Sequence, residues 1–180
     1  MKQMLLLIVC LLSFSATALA QASETFDIAT FQPPEGWEKQ ASKDSVQFST
    51  DDKKSGAHCV IVLLKSVPSS GNSKENFDAS WQTLVKQGVN VAAAPQMFPS
   101  NNPEDWALEG GLAPFEKHGA KGVVLLYTIS GYGKMLNVMI LTNTQAYEAN
   151  ITAFMQSITL KKPGPELAPV KPVSVQSNAK

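Results

Sequence analysis

Few residues in this chain could act as a nucleophile or a general base. Its imidazole and thiol groups are His58, His118, Cys10 and Cys59. A catalytic histidine needs a hydroxyl, thiol or carboxylate within about 3 Å, and no serine sits in a Gly-x-Ser-x-Gly motif. His118, in a polar turn over 116–119, is the one candidate for a general base, and it would imply a small periplasmic hydrolase.

Cys59 and His58 do not form a predicted catalytic pair, although they are neighbours in the sequence. Both belong to the run 57–64, which is rich in β-branched and apolar residues and predicts a strand. Successive side chains of a strand point to opposite faces of the sheet. We therefore predict that Cys59 is buried as a small apolar residue, with its thiol turned away from His58.

No metal, cofactor or phosphate site is predicted. Zinc needs clustered Cys and His ligands, and two separate histidines with one cysteine do not supply such a cluster. The acidic pair Asp51–Asp52, followed by two lysines, is typical of a solvated turn and lacks the spaced ligands of a calcium loop. The glycine pairs 110–111 and 131/133 do not lead into helices, as a phosphate loop would. We accordingly assign no catalytic, cofactor-binding or metal-binding residue.

The basic residues argue against nucleic acid as a partner. Lysine and arginine together number 15, every one of them is lysine, and they are matched by 15 acidic residues for a net charge of zero. Nucleic-acid-binding domains carry basic patches and use the bidentate guanidinium of arginine. The partner we expect is a protein or a small ligand, with no nucleic acid.

Residues 1–20 resemble a secretory signal peptide. A basic start at Lys2 is followed by the apolar run 4–12 and by Ala18-Leu19-Ala20, a small-x-small cleavage site. The run is shorter than the roughly 20 apolar residues that cross a bilayer, so no membrane span is predicted. The pattern predicts an exported protein, periplasmic or secreted.

Two amphipathic helices are predicted from apolar residues at helical spacing. The first carries Phe77, Trp81, Leu84 and Val85 on one stripe. It begins after Asn72, three residues before Glu75 as in a capping box, and Gly88 is its expected stop. The second helix carries its stripe on Tyr147, Ile151, Phe154, Met155 and Ile158, after the cap candidates Thr142, Asn143 and Thr144.

The strands are predicted to form one antiparallel sheet. The runs 60–64, 123–129 and 135–141 are apolar on both faces, as expected of central strands. The sequence Gly131-Tyr132-Gly133-Lys134 predicts a tight hairpin between the last two. Residues 26–31 are predicted as a single first strand, and Gly110–Gly111 as a bulge or bend within a strand that contains Trp106 and Leu108. Trp37 follows a turn and is expected to cap the core, with a place beside a ligand groove as the alternative, and Trp81 and Trp106 are expected to lie within the core.

Strands and helices in this order, without a βαβ rhythm, predict an α+β fold: an antiparallel sheet flanked by helices on both faces. The motifs Phe26-Asp27-Ile28, Pro34-Glu35-Gly36-Trp37 and the 147–158 helix resemble the PsbP-like group, which includes many exported bacterial proteins. The resemblance implies an α-β-α sandwich over residues 21–162 and, mostly, non-enzymatic binding or assembly roles. Residues 163–180, rich in proline, are predicted to be a disordered tail.

The function expected from the sequence is therefore that of an exported, soluble, non-catalytic binding or assembly protein of the cell envelope. No cofactor is implied. The alternative is the small hydrolase based on His118, which would need a nucleophile or carboxylate beside that imidazole.

Overall fold

The computed structural model describes residues 22–69, 71–100, 105–117 and 119–162 of the chain. The predicted signal peptide (1–20), the predicted tail (163–180) and His118 lie outside these residues.

One large antiparallel sheet of eight strands dominates the described residues, and a small sheet of three strands accompanies it. The large sheet has the order β3-β4-β5-β10-β9-β8-β7, with β6 also paired to β10, and the small sheet has the order β1-β2-β11. The strands are β1 Glu24–Phe26, β2 Ala29–Phe31, β3 Glu38–Ala41, β4 Ser45–Asp52, β5 Ala57–Leu64, β6 Val67–Pro68, β7 Gln96–Met97, β8 Ala107–Lys117, β9 Ala120–Gly131, β10 Lys134–Thr142 and β11 Thr159–Leu160.

The three apolar runs of the sequence form the middle of the large sheet, as predicted. They are β5, β10 and β9, which lie side by side. The β9–β10 hairpin is also confirmed: Gly131 pairs with Lys134, and the two turn residues Tyr132 and Gly133 have φ of 52° and 71°. Two consecutive positive φ values are typical of the type I′ turn that matches the twist of the flanking strands.

The predicted first strand over 26–31 is wrong, because the chain turns in its middle. Asp27 has φ of 53°, so β1 and β2 fold into a hairpin in which Phe26 pairs with Ala29. The Asp27 carboxylate accepts a hydrogen bond from the Ser66 backbone N–H at 2.8 Å. Aspartate adopts the left-handed conformation more readily than most residues, and this contact ties the turn to the large sheet.

The first predicted helix packs on one face of the large sheet. Helix α1 (Ser73–Ser80) continues as a π-helical segment, Trp81–Gln87, and both contact β9. The Asn72 side chain accepts a hydrogen bond from the Glu75 N–H at 3.2 Å, which confirms the predicted cap. The predicted stripe is buried at Phe77, Trp81 and Val85.

The second predicted helix lies over the opposite face. Helix α2 (Glu148–Ser157) buries Ile151 and Phe154. Phe154 meets Phe31 of the small sheet and Phe48 of the large sheet, with ring centroids 5.5 and 5.7 Å away. The cap expected from Thr142–Thr144 is wrong: Tyr147 occupies the N-cap without a side-chain bond, and the Thr144 hydroxyl accepts instead from the Ala146 N–H.

The predicted α-β-α sandwich is wrong, because the structure is mostly antiparallel β-sheet. The described residues contain eleven strands but only two α-helices, of 8 and 10 residues. Each helix buries too few apolar side chains to cover a face of an eight-stranded sheet. On the α2 side the small sheet supplies much of the cover, since Ala29 and Phe31 belong to the same buried cluster as the sheet residues.

Of the bulge or bend predicted at the glycine pair of strand β8, the bulge is wrong. Gly110 and Gly111 pair one-for-one with Tyr127 and Leu126 of β9. A Cβ on Gly110 would lie 2.8 Å from the Phe98 ring and 2.9 Å from the Tyr127 ring. The glycine is therefore explained by the close approach of two aromatic rings to the strand.

Candidate functional site

A groove runs between α1 and the sheet, and we call it the α1 groove. Its volume is about 520 Å³. Its apolar lining consists of Leu64, Val67, Ala79, Leu84 and Met135, and its uncharged polar lining of Ser66, Ser80, Thr83 and Asn137, of which Asn137 lies on the sheet strand that forms the floor. Asp44 and Lys65 also border the groove.

A row of polar side chains crosses the sheet beneath α1, and its last member is Asn137 on the floor of the groove. Glu109, Thr128 and Asn137 lie opposite one another on β8, β9 and β10, and their exposed fractions are only 4%, 0% and 6%. The Thr128 hydroxyl donates to the Asn137 Oδ1 atom at 2.7 Å. Burying polar groups in a sheet face costs free energy unless they are hydrogen-bonded, so the row needs partners along its length.

Serines and an asparagine of α1 and its surroundings provide partners for the row. The Ser73 and Ser100 hydroxyls donate to the two carboxylate oxygens of Glu109, at 2.9 and 2.7 Å. The Asn76 Nδ2 atom donates to the Ser130 hydroxyl at 3.1 Å. These bonds hold the first turn of α1 to β8 and β9, and thereby fix one wall of the groove.

Asn137 is the exception, because half of its amide is left without a partner. Its oxygen accepts from Thr128, whereas its Nδ2 atom has no hydrogen bond to any residue in the described part of the chain and is not one of the unpaired atoms that are buried from solvent. The side chain is nevertheless more than nine-tenths buried and lines the α1 groove. An amide nitrogen in this position can donate to an acceptor that enters the groove.

The helical wall of the groove has unusual geometry. The π-helical segment begins at Trp81, and it follows directly on Ser80, which lines the groove. The Thr83 hydroxyl donates back to the Ala79 carbonyl at 3.0 Å, within the same stretch. π-Helical turns are rare and occur frequently at functional sites. Their presence here agrees with the groove as the site of interest.

A second cavity lies on the opposite face of the sheet, under α2, and we call it the α2 cleft. Its volume is about 380 Å³. Its lining is mostly apolar and aromatic, with one polar residue, Gln156; the others are Trp106, Leu108, Tyr127, Ile129, Met155, Ile158 and Leu160. The Trp106 Nε1 atom is buried and has no hydrogen-bond partner among the described residues. Burial raises the pKa of the Tyr127 hydroxyl above its usual range.

A polar clasp borders the α2 cleft. The Lys162 Nζ atom lies 2.8 Å from the Asp105 carboxylate, and the Tyr132 hydroxyl donates to the same carboxylate. Tyr132 packs edge-on against Trp106 at 5.4 Å. The hydrogen bond from Lys162, followed by that from Tyr132, lowers the pKa of Asp105, and Asp105 in turn raises the pKa of Lys162.

The residues singled out from the sequence do not come together into a site. Cys59 is fully buried, as predicted, and burial raises its pKa to about 11. His58 sits on the other face of β5, so the two do not form a pair. His118 lies outside the described residues, and the hydrolase hypothesis stays untested. Trp81 is buried as predicted, and Trp37 packs on Tyr147 at 5.6 Å, a core-capping contact.

The sequence carried a signal for Asn137 that periodicity alone does not reveal. The run 135–141 is apolar except at this one position, and Thr128 and Glu109 are similar polar interruptions of their strands. A single amide in a central strand indicates a buried polar group that needs an explanation. Among the described residues, no group of three or more His, Cys, Asp or Glu could hold a metal ion. In the same residues no helix has the length and apolarity needed to cross a bilayer.

Comparison with known proteins leaves the chain without a relative that could assign its function. Neither a protein-family model nor a curated protein sequence matches it. A crystal structure of a protein from Bacteroides thetaiotaomicron is similar, with 13% identity and a TM-score of 0.47, over 76% of this chain and 46% of that one. The chain thus spans less than half the length of that protein. The resemblance to the PsbP-like group stays a prediction.

Proposed function

We propose that this protein is an exported, non-catalytic binding protein, and that the α1 groove holds its ligand. The ligand class that fits is a small molecule with an apolar body and a neutral hydrogen-bond acceptor, such as an amide or ester carbonyl. The acceptor would receive the Asn137 amide N–H, and the body would lie between Leu64, Leu84 and Met135.

The observation that carries the proposal is the half-paired amide of Asn137. The Nδ2 atom has no hydrogen bond within the described residues and belongs to a side chain that lines the groove, so it can donate to a carbonyl that enters there. The acceptor half of the same amide is held by Thr128, which fixes the orientation of the donor before a ligand arrives. Such preorganisation favours binding because less ordering remains to be done.

The size and lining of the groove support the same proposal. Ligand sites commonly measure about 300–1,000 Å³ and combine apolar walls with a few placed polar groups. The α1 groove, at about 520 Å³, has five apolar lining residues and four uncharged polar ones, among them the Asn137 amide on its floor. Asp44 and Lys65 bring opposite charges to it, so its surroundings select for neither anions nor cations.

The export part of the proposal rests on residues 1–20 alone. Their charged start, apolar run and small-x-small end are the features on which it depends. Fractionation of cells that produce the full chain, with detection of a protein that begins at Gln21, would test it. A protein that keeps its first 20 residues and stays in the cytoplasm would contradict export.

A thermal-shift screen tests the ligand. The protein is screened against neutral amphiphiles that carry amide, ester or lactone carbonyls, and a binder raises the melting temperature because it binds only the folded state. Hits are then titrated against Asn137→Leu, which keeps the side-chain volume close but removes the donor. Thr152→Val, on the exposed side of α2, is the control.

We expect Asn137→Leu to weaken binding of a true groove ligand at least tenfold, whereas Thr152→Val leaves it unchanged. Binding that is indifferent to both substitutions would place the ligand elsewhere and overturn the assignment of the groove. A screen whose hits are hydrolysed by the protein would overturn the non-catalytic part.

A further inference from the structure

We propose that the α2 cleft is a docking site for the chain's own segment Pro165–Pro172, which would bind there as a polyproline II helix. The proposal concerns the face opposite the α1 groove, and it holds whether or not that groove binds a ligand. It is carried by the position where the described chain ends, by the sequence of the segment and by the lining of the cleft.

The described chain ends beside the cleft. Leu160, the last residue of β11, is part of its lining. Two residues later, Lys162 is held to Asp105, which immediately precedes the cleft residue Trp106. The segment that follows therefore starts within a few residues of its proposed site.

The sequence after Lys162 suits a return into the cleft. Pro163-Gly164 is a turn dipeptide, with proline and glycine in the order that a type II turn requires. Pro169 and Pro172 are three residues apart, the PxxP spacing that places both rings on one face of a polyproline II helix. The eight residues 165–172 would extend over about 25 Å in this conformation.

The cleft has the chemistry that recognises such a helix. Polyproline II segments bind to aromatic-lined grooves and leave their backbone carbonyls free as acceptors. Trp106 and Tyr127 provide aromatic faces in the cleft, and Tyr132 adds a third beside Trp106. The Trp106 Nε1 atom is buried, so the segment would contact the part of the Trp106 ring that lines the cleft rather than this donor.

A short connection makes even a weak contact effective. A segment tethered through a few residues has an effective concentration on the order of millimolar at its site. We therefore expect partial, reversible occupancy. Ordering the segment costs conformational entropy, so its removal should change the melting temperature little, and the test needs a probe at the cleft itself.

Nuclear magnetic resonance of the tryptophan indoles provides that probe. The chain without its first 20 residues has three indole N–H signals, from Trp37, Trp81 and Trp106, and Trp106→Phe identifies the third. The variant with Pro169→Ser and Pro172→Ser is compared with the unaltered chain. Val173→Ser with Val175→Ser, outside the PxxP motif, is the matched control.

We expect the Trp106 signal alone to move in the proline variant, and the control to leave it in place. Trp81 Nε1, also buried without a partner among the described residues, should not respond in either. A peptide of residues 163–175, added to the proline variant at millimolar concentration, should return the Trp106 signal toward its original position.

Three outcomes would overturn the proposal. The Trp106 signal could be identical in the unaltered chain and the proline variant. The proline variant and its control could shift that signal equally, which would mean that general tail composition matters rather than the PxxP motif. Finally, the shift could depend on protein concentration, which would make the occupant of the cleft a second copy of the chain.

Discussion

Thr128 and Asn137 form a buried polar pair whose two members depend on each other. Asn137→Leu leaves the Thr128 hydroxyl without its 2.7 Å partner in a fully buried position. We expect this substitution to lower the free energy of unfolding by about 1–3 kcal/mol. Urea unfolding of the wild type and the variant measures the difference.

The double variant Thr128→Val with Asn137→Leu is the decisive comparison. Replacing both partners by apolar residues of similar shape is often nearly neutral, so we expect it to recover most of the stability lost in either single variant. If the apolar double variant is as stable as the wild type, the polar pair adds no stability, and ligand recognition is our explanation for it. A double variant whose loss of unfolding free energy equals the sum of the two single losses would contradict the coupling.

Cys59 should be chemically inert in the folded protein. With a pKa of about 11, only about one thiol in a thousand is ionised at pH 8, and the thiolate is the reactive form. We expect almost no reaction with a disulfide reagent at pH 8 in native buffer, and full reaction in denaturant. Rapid stoichiometric labelling of the native protein would show that the β5 region opens.

Phe154 of helix α2 contacts both sheets. Its ring contacts Phe31 and Phe48 and is 2% exposed. Phe154→Ala should lower the free energy of unfolding by about 3–5 kcal/mol, as large core truncations do. Thr152→Ala, on the exposed side of the same helix, should change it by less than about 0.5 kcal/mol. Equal effects of the two variants in urea unfolding would contradict the assigned role.

Elements with a strong local pattern were predictable from sequence, whereas their assembly was not. The α1 stripe and its Asn72 cap, and the 131–134 hairpin, follow from interactions between residues close in the chain. The turn at Asp27 depends on a contact with Ser66, 39 residues away, and Gly110 is explained by Phe98 packing across the strand. Contacts of this kind join residues far apart in the chain and do not produce a periodic pattern in the sequence.

For the candidate site, too, the sequence predicted the strand but not the contacts between strands. That β10 is central was evident from its apolar run, but the role of Asn137 depends on Thr128 from the neighbouring strand and on the position of α1 above it. The error in fold class has a related cause. Two helical stripes predict that helices pack on a sheet, but they do not reveal that β1, β2 and β11 form a second sheet.

Across the whole molecule, stability should fall in acid for a reason that can be localised. Hydrogen bonds to Lys162 and Tyr132 lower the pKa of Asp105. At Asp27 burial acts to raise the pKa, but hydrogen bonds from Ser66 outweigh it and the pKa is lowered. A carboxyl whose folded-state pKa is depressed contributes stability above its unfolded pKa of about 3.9. That contribution is lost as pH falls through the folded-state value.

Lys162 behaves in the opposite sense, because its pKa is raised by Asp105. Its contribution is complete below its unfolded pKa of about 10.4 and is lost as pH rises through the folded-state value. Asp105→Asn should therefore make the pH dependence of the melting temperature shallower at both ends. Lys43→Met, which removes a highly exposed ammonium 3.9 Å from Asp44, should leave both ends unchanged. An Asp105→Asn curve parallel to the wild type would refute the assignment.

The pairing of β5 with β10 has a consequence for how fast the protein folds. Strands β3–β4–β5 and β8–β9–β10 are each joined to their neighbours by short turns, whereas residues 65–133 separate β5 from β10. The loop of residues 65–133 is longer than the turn at 53–56 by roughly four doublings of length. Closing it therefore costs about 2 kcal/mol more in chain entropy. We expect the strand groups β3–β5 and β8–β10 to form early and to pair with each other late. Leu63 lies at the junction between them, so its contacts form after the transition state, and Leu63→Ala should mainly accelerate unfolding in stopped-flow measurements.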